Sequence, residues 1–160
     1  MKIEYRKAQA EDAELLVELY NAAFLEDFIR YGECPAYGRS VEEMERSIKN
    51  YPKDIILYES DLFKRQAVGV ISSEIRGEGV YYIGCLCVIP EFQNMGIGTA
   101  AFADFKLRHS DWKEIYLITP ADKERNIYFY TVKCGMKIEG REMDGKVEVV
   151  RLVLRREEKI

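Results

Sequence analysis

Residues 85–99 read Cys-Leu-Cys-Val-Ile-Pro-Glu-Phe-Gln-Asn-Met-Gly-Ile-Gly-Thr, an apolar run that stops at Pro90 and gives way to two glycines at the head of a helical pattern. The first N–H groups of a helix have no internal acceptor, and with the positive end of the helix dipole, about half a charge, they converge on an anion such as a phosphate. Gly96 and Gly98 leave room for such a ligand to reach the main chain. By itself Gly-x-Gly also serves a tight strand-to-helix turn with no ligand, so the context has to carry the chemistry. One rival is a dinucleotide fold, because Gly96-Ile-Gly98-Thr-Ala-Ala101 fits GxGxxA. That fold needs an acid about 20 residues on at a strand end and a second βαβ half. Asp122 lies near that spacing but follows Pro120, and too few residues remain.

The elements that must position this loop follow from periodicity. Ile3 to Ala8 reads as a strand, and from Glu11 the residues Leu15, Leu16, Leu19, Tyr20, Ala23 and Phe24 recur at helical spacing. Ser40 with Glu43 forms a capping-box pattern that starts a second helix ending near Asn50, so Gly32 to Arg39 is an inter-helix loop. Asp54 to Ser60, Gln66 to Arg76 and Val80 to Ile89 are predicted strands of an antiparallel meander. Gly96 to His109 is helical, Glu114 to Thr119 a strand, Lys123 to Lys133 a shorter helix, and Met136 to Arg141 with Val147 to Leu154 a strand pair across Asp144-Gly145. The expectation is one domain over residues 1–160, since about 100 to 150 residues make an ordinary domain.

Composition narrows the function. Hydrophobic residues are 48% and charged residues 32%, enough for a full core. The net charge of -4 argues against nucleic-acid or membrane partners held by phosphate charge. No apolar run approaches the roughly 18 residues of a membrane span, and Met1-Lys2-Ile3-Glu4-Tyr5-Arg6 lacks the apolar stretch of a secretory signal, so the expected location is cytoplasmic. Cys34, Cys85, Cys87 and Cys134 are too few and too irregular for a disulfide scaffold. Cys85 and Cys87 share one strand face as reduced, buried small hydrophobes, and the single histidine, His109, completes no metal site with them.

Gln93-Asn-Met-Gly96-Ile-Gly98, preceded by Val88-Ile89-Pro90, resembles the Q/RxxGxG/A pyrophosphate loop of the GNAT superfamily, the acyl-CoA-dependent N-acyltransferases. The resemblance extends over nearly the whole chain and implies an α+β fold, a twisted, mostly antiparallel mixed sheet of about seven strands with about four helices. It implies acetyl-CoA as co-substrate and no metal. Leu86, Cys87 and Val88 would then meet the pantetheine arm as an added strand would, and the amides of Gln93, Asn94, Met95, Gly96, Ile97, Gly98 and Thr99 would hold the diphosphate. Gly84 would mark the place where the fourth and fifth strands splay, with Tyr81, Tyr82, Ile83 and residues 115–119 lining the slot. Asn126-Ile-Tyr-Phe-Tyr130 to Gly135-Met136 is similar to the family's Asn…Phe-Tyr…Gly-Phe motif, whose tyrosine is the general acid. By this resemblance Tyr130 would take that role, and Asn126 would touch the pantetheine or cap the helix. Tyr130 stands five residues before Gly135 where four is commoner, Thr131 occupies the commoner place, Met136 replaces the usual Phe, and Tyr128 is a neighbouring alternative.

A phenol with pKa near 10 can donate to a departing thiolate whose acid titrates near 8.5, and an acceptor amine near 10.4 must lose a proton before attack. Glu74, Glu26, Asp27 and Glu33 are the candidate bases, unranked by sequence. The resemblance puts acceptor choice in Glu33 to Ser40, with Glu33, Tyr37 and Tyr82 as substrate contacts, while Arg30 and Arg39 would suit an acceptor bearing a carboxylate. The expected activity is acetyl transfer from acetyl-CoA to a primary amine of a small molecule or peptide, directly in a ternary complex, by a monomer or homodimer. A non-catalytic acyl-CoA-binding module is the alternative.

Overall fold

The computed structural model describes residues 2–157. Its elements are β1 (Lys2–Lys7), α1 (Ala13–Tyr31), α2 (Val41–Asn50), β2 (Lys53–Glu59), β3 (Gln66–Gly77), β4 (Val80–Val88), α3 (Ile97–Arg108), β5 (Glu114–Pro120), α4 (Glu124–Tyr128), β6 (Lys137–Asp144) and β7 (Val147–Arg155). The strands form a seven-stranded mixed sheet in the order β1-β2-β3-β4-β5-β7-β6. Every sequence-predicted element is present, and only α4, which stops short of Lys133, differs greatly in extent. The chain packs as two units, Met1–Ser73 with Gly84–Ala101 and Glu74–Ile83 with Phe102–Ile160.

In the first unit β1 pairs antiparallel with β2, and β2 with β3. The apolar stripe of α1 buries Leu16, Leu19 and Tyr20, α2 contributes Met44, and β2 and β3 contribute Ile55, Ile56, Val68 and Val70. A bidentate Arg6–Asp12 pair (2.9 and 3.0 Å) ties β1 to the start of α1 and holds the Asp12 carboxyl below its usual range. Gly32, at φ +75°, closes α1 by donating its amide to the Phe28 carbonyl at 2.9 Å. The Ser40–Glu43 capping box forms as predicted: Glu43 N donates to Ser40 Oγ at 3.1 Å and Ser40 N to Glu43 Oε1 at 3.4 Å.

In the second unit β4 runs parallel to β5 through Val80–Glu114, Tyr81–Ile115 and Tyr82–Tyr116. β5 pairs antiparallel with β7 from Glu114–Arg155 to Pro120–Val149, and β7 with β6. Phe102, Phe105, Ile115, Leu117, Leu152 and Val153 are buried. His109 lies just beyond α3, stacked on Phe105 with ring centroids 4.1 Å apart, and its Nδ1 sits 2.9 Å from the Phe105 carbonyl. It packs against the end of α3. Among the described residues no helix is long and apolar enough to cross a membrane.

Candidate active site

The loop after β4 is shaped by its own backbone. Ile89 N donates to Val68 O at 2.8 Å, so Ile89 and, two residues earlier, Cys87 turn their main-chain groups toward β3. Alternation turns those of Leu86 and Val88 to the opposite edge of β4. There the Val88 carbonyl is already taken, accepting from Gln93 Nε2 at 2.9 Å. The chain then makes one 3₁₀ turn, Pro90–Phe92, whose Phe92 is buried against Tyr58 and Phe63. Two left-handed residues follow, Asn94 at φ +63° and Gly96 at φ +82°. Left-handed residues interleaved with right-handed ones curl successive N–H groups into a concave, anion-binding nest. Helix α3 begins at once, its first bond running from Ala100 N to Gly96 O at 3.0 Å, which leaves the amides of Ile97, Gly98 and Thr99 in the acceptorless first turn. Ile97 is buried and anchors the helix start, whereas Asn94, Met95, Gly96 and Thr99 are exposed. A Cβ on Gly96 would meet no protein atom within 4 Å. Open space at Gly96 beside the first turn of the 12-residue α3 leaves its leading amides within reach of an anion.

The structure narrows the sequence-predicted donor set in one respect. Gln93 N donates to Pro90 O at 3.2 Å and its side chain is on Val88, so Gln93 closes the turn instead of offering an amide. The remaining donors run from Asn94 to Thr99.

In the second unit, α4 does not continue as an α-helix to Lys133. Phe129–Lys133 forms a π turn, with Cys134 N donating to Phe129 O at 3.1 Å. A π turn accommodates one extra residue in a helix and is frequent at functional sites. It accounts for the five-residue spacing from Tyr130 to Gly135, which at φ +74° ends the helix. Tyr130 is buried, with 6% of its surface exposed, whereas Tyr128 is 56% exposed. Thr131 donates its hydroxyl to the Ile127 carbonyl at 2.7 Å and is thereby committed to its own helix. Asn126 does not cap the helix: its Nδ2 donates to Thr119 Oγ1 at 3.1 Å, which ties α4 to the end of β5.

The predicted acceptor segment is firmly attached. Gly38 N donates to Asn21 Oδ1 at 2.9 Å, Tyr37 stacks on Phe28 with centroids 4.6 Å apart, and Arg39 Nε donates to Pro35 O at 2.9 Å. Glu33 is half-buried just past the end of α1. Of the candidate bases, Asp27 is buried and Glu74 is engaged by Arg76 at 2.9 Å. Tyr82, in the second unit, lies in a row that sequence reasoning missed. The Arg76 guanidinium sits 4.7 Å from the Tyr82 ring, Tyr82 and Tyr116 are 5.1 Å apart, and Arg151 is 4.2 Å from Tyr116. Burial raises the Tyr82 phenol above its ordinary pKa. The signal lay in the strand register, which places Tyr82 opposite Tyr116 and Tyr116 opposite Val153.

Comparison with solved structures defines the class of fold. An acetyltransferase from Thermus thermophilus superposes with a TM-score of 0.75 at 13% identity, covering 97% of each chain. The PaiA N-acetyltransferase from Thermoplasma acidophilum in complex with coenzyme A gives 0.71 at 19% identity over 94% of this chain and 98% of that one. The microcin C7 self-immunity acetyltransferase MccE, in complex with acetyl-CoA and AMP, gives 0.73 at 20% identity over 96% and 92%. A search of curated proteins finds no match. The model of the Acetyltransferase (GNAT) family matches residues 15–136, and the chain belongs to that family. It is an acyltransferase by family.

Proposed function

We propose that this protein transfers the acetyl group of acetyl-CoA to a primary amine of a small molecule or peptide, directly in a ternary complex, and that residues 1–160 act as one catalytic domain. The observation that carries this reading is the exposed nest at Asn94–Gly96 leading into the free first turn of α3. Two structural neighbours, PaiA and MccE, hold coenzyme A and acetyl-CoA respectively, which supports the same ligand here. Acetyl-CoA supplies an acetyl group activated as a thioester.

The chain's own groups divide the work. The amides of Asn94, Met95, Gly96, Ile97, Gly98 and Thr99 bind the diphosphate, and the side chains add little beyond the vacancy at Gly96. The main-chain groups of Leu86 and the Val88 amide, on the edge of β4 away from β3 with Cys87 between them, bind the pantetheine arm. Tyr130 donates its phenolic proton to the departing sulfur. Asn126, fixed by Thr119, orients the thioester end. Glu33, Tyr37 and Tyr82 contact the acceptor. No metal takes part in this scheme.

A turnover screen of acetyl-CoA against amino acids, polyamines, aminoglycosides and peptide N-termini, read as release of free thiol, tests the reading. Turnover with one amine class supports it. Tight acetyl-CoA binding with no turnover across the panel would instead make the protein a non-catalytic acyl-CoA-binding module.

A further inference from the structure

Ile115, Leu117 and Leu152 are buried on one face of the second unit's sheet, and by alternation Tyr116, Ile118, Arg151 and Val153 lie on the other. The two guanidiniums of the Arg76–Tyr82–Tyr116–Arg151 row differ. Arg76 is paired with Glu74 at 2.9 Å. Arg151, half-buried within β7, has the Tyr116 ring at 4.2 Å and, among the described residues, no carboxylate in ion-pair contact and no acceptor for its side-chain N–H groups.

Other cations seated over aromatic rings spend their N–H groups. Lys53, 4% exposed and 5.4 Å from the Tyr20 centroid, donates to Tyr20 Oη and Ser72 Oγ, each at 3.1 Å. Arg39, over the same ring, donates to Pro35 O and Ser47 Oγ, and Arg156, over Trp112, donates to the Ser110 carbonyl at 2.7 Å. A guanidinium covered on one face by a ring keeps its N–H edge for a planar acceptor. Among the described residues no buried side-chain nitrogen lacks a partner, so the unspent edge of Arg151 is open to solvent.

The neighbouring strand leaves room for a ligand. Gly140 on β6 pairs with Arg151, so the two share a face, and a Cβ on Gly140 would meet no atom within 4 Å. Gly140 is not left-handed, so neither crowding nor backbone conformation calls for glycine there. We propose that Arg151 determines acceptor specificity: it holds the carboxylate of the amine acceptor, with Tyr116 beneath its guanidinium and the space at Gly140 receiving the anion. The inference rests on the acetyl-transfer reading, which puts Tyr130 and Asn126 at the thioester.

Charge favours a carboxylate over a phosphate. Glu74 neutralises Arg76, and Glu139, the residue before Gly140, is itself engaged by Arg155. One free positive charge faces the ligand, which matches a singly charged carboxylate taken bidentately better than a phosphate dianion. Tyr116 lies three residues, about 10 Å, before Thr119, which fixes Asn126. Amine and carboxylate must then stand several bonds apart, as in an ω-amino acid, and not on one carbon as in an α-amino acid.

Acetyl-CoA turnover with γ-aminobutyrate, δ-aminovalerate and ε-aminocaproate, each matched with the alkylamine that lacks the carboxylate, reads the effect. In the wild type the best amino acid should exceed its alkylamine in kcat/KM by more than about tenfold, through KM, the scale of a charge-assisted bidentate contact. Arg151→Gln should bring that ratio near one, and Arg151→Lys should restore part of it. Gly140→Val, which fills the open space, should lower the ratio with the circular-dichroism spectrum kept. Equal kcat/KM within the wild-type pairs, an unchanged ratio in Arg151→Gln, or preference for an aminoalkyl phosphate would overturn the proposal. Binding separates the contact from transfer: with coenzyme A present, the arginine Nε–H signal that Arg151→Gln removes should shift saturably with one of the amino acids and not with its alkylamine. That shift without turnover would refute acetyl transfer and leave the carboxylate contact standing. Turnover of the alkylamines with no such shift would refute the contact and leave acetyl transfer standing.

Discussion

Gly98→Glu separates ligand binding from folding in this chain. Gly98 is the second residue of α3 and half-buried in the first turn, where the helix presents acceptorless amides. Replacing glycine inside a helix gains up to about 1 kcal/mol of helix propensity, and a carboxylate at a helix N-terminus adds roughly 0.3–1 kcal/mol. Folding stability should therefore hold or rise by about 1 kcal/mol. The same carboxylate stands where the diphosphate is assigned. Two unit charges about 4 Å apart repel by about 1 kcal/mol in water and about 4 kcal/mol at an effective dielectric near 20, and the diphosphate carries more than one charge. A loss of acetyl-CoA affinity exceeding tenfold, which is about 1.4 kcal/mol, follows. Titration calorimetry with acetyl-CoA and a thermal melt of the same sample measure both quantities. Equal affinity in a folded variant would refute the assignment of the loop, and a collapsed melting temperature would refute the reasoning about the helix.

Tyr130→Phe is expected to lower kcat by about 100-fold or more, the scale of a general acid, with the acetyl-CoA dissociation constant unchanged. Thr131→Val removes only the bond to Ile127 and should retain turnover; stopped-assay kinetics in which it falls as far as Tyr130→Phe would move the acid role. Denaturing mass spectrometry after incubation with acetyl-CoA alone should show no acetyl adduct on Cys85 or Cys87, as the proposed direct transfer requires, and a lasting adduct would contradict the ternary complex. Tyr81 donates to Asp111 at 2.6 Å, which, with burial, raises its phenol to about 12. The folded state then keeps a proton that the unfolded chain releases near 10, so this stabilisation is complete below about pH 10 and is lost from there to about pH 12. Denaturant melts across that window should fall more steeply for the wild type than for Tyr81→Phe; parallel curves would exclude the pair as the cause.

The parts of the fold that sequence conveyed are those set by local chemistry. The stripe of Leu16, Leu19 and Tyr20 specified α1, Ser40 and Glu43 specified the start of α2, and the expected reversal between β6 and β7 falls at Gly145-Lys146, with Gly145 at φ +63° and Asp144 the last residue of β6. The turn at Gly96 was legible because its backbone, at φ +82°, is one that few residue types permit. The π turn was foreshadowed by one number, the extra residue between Tyr130 and Gly135, but hydrogen-bond register leaves no mark in composition. Lys53 was invisible. Beside Pro52 and Asp54 it reads as a strand-end charge, and its burial depends on Tyr20, 33 residues earlier, and Ser72, 19 residues later. The role of Gln93 was missed for a related reason: a side chain that closes its own turn looks, in sequence, like one more member of the loop.

The most direct measurement is the two-dimensional amide spectrum of the isotopically labelled protein during titration with acetyl-CoA. The amides of Asn94 to Thr99 should show the largest shifts, and that of Gln93, already bonded to Pro90, a smaller one. Saturable binding that leaves the amides from Asn94 to Thr99 where they were would contradict the account at its root.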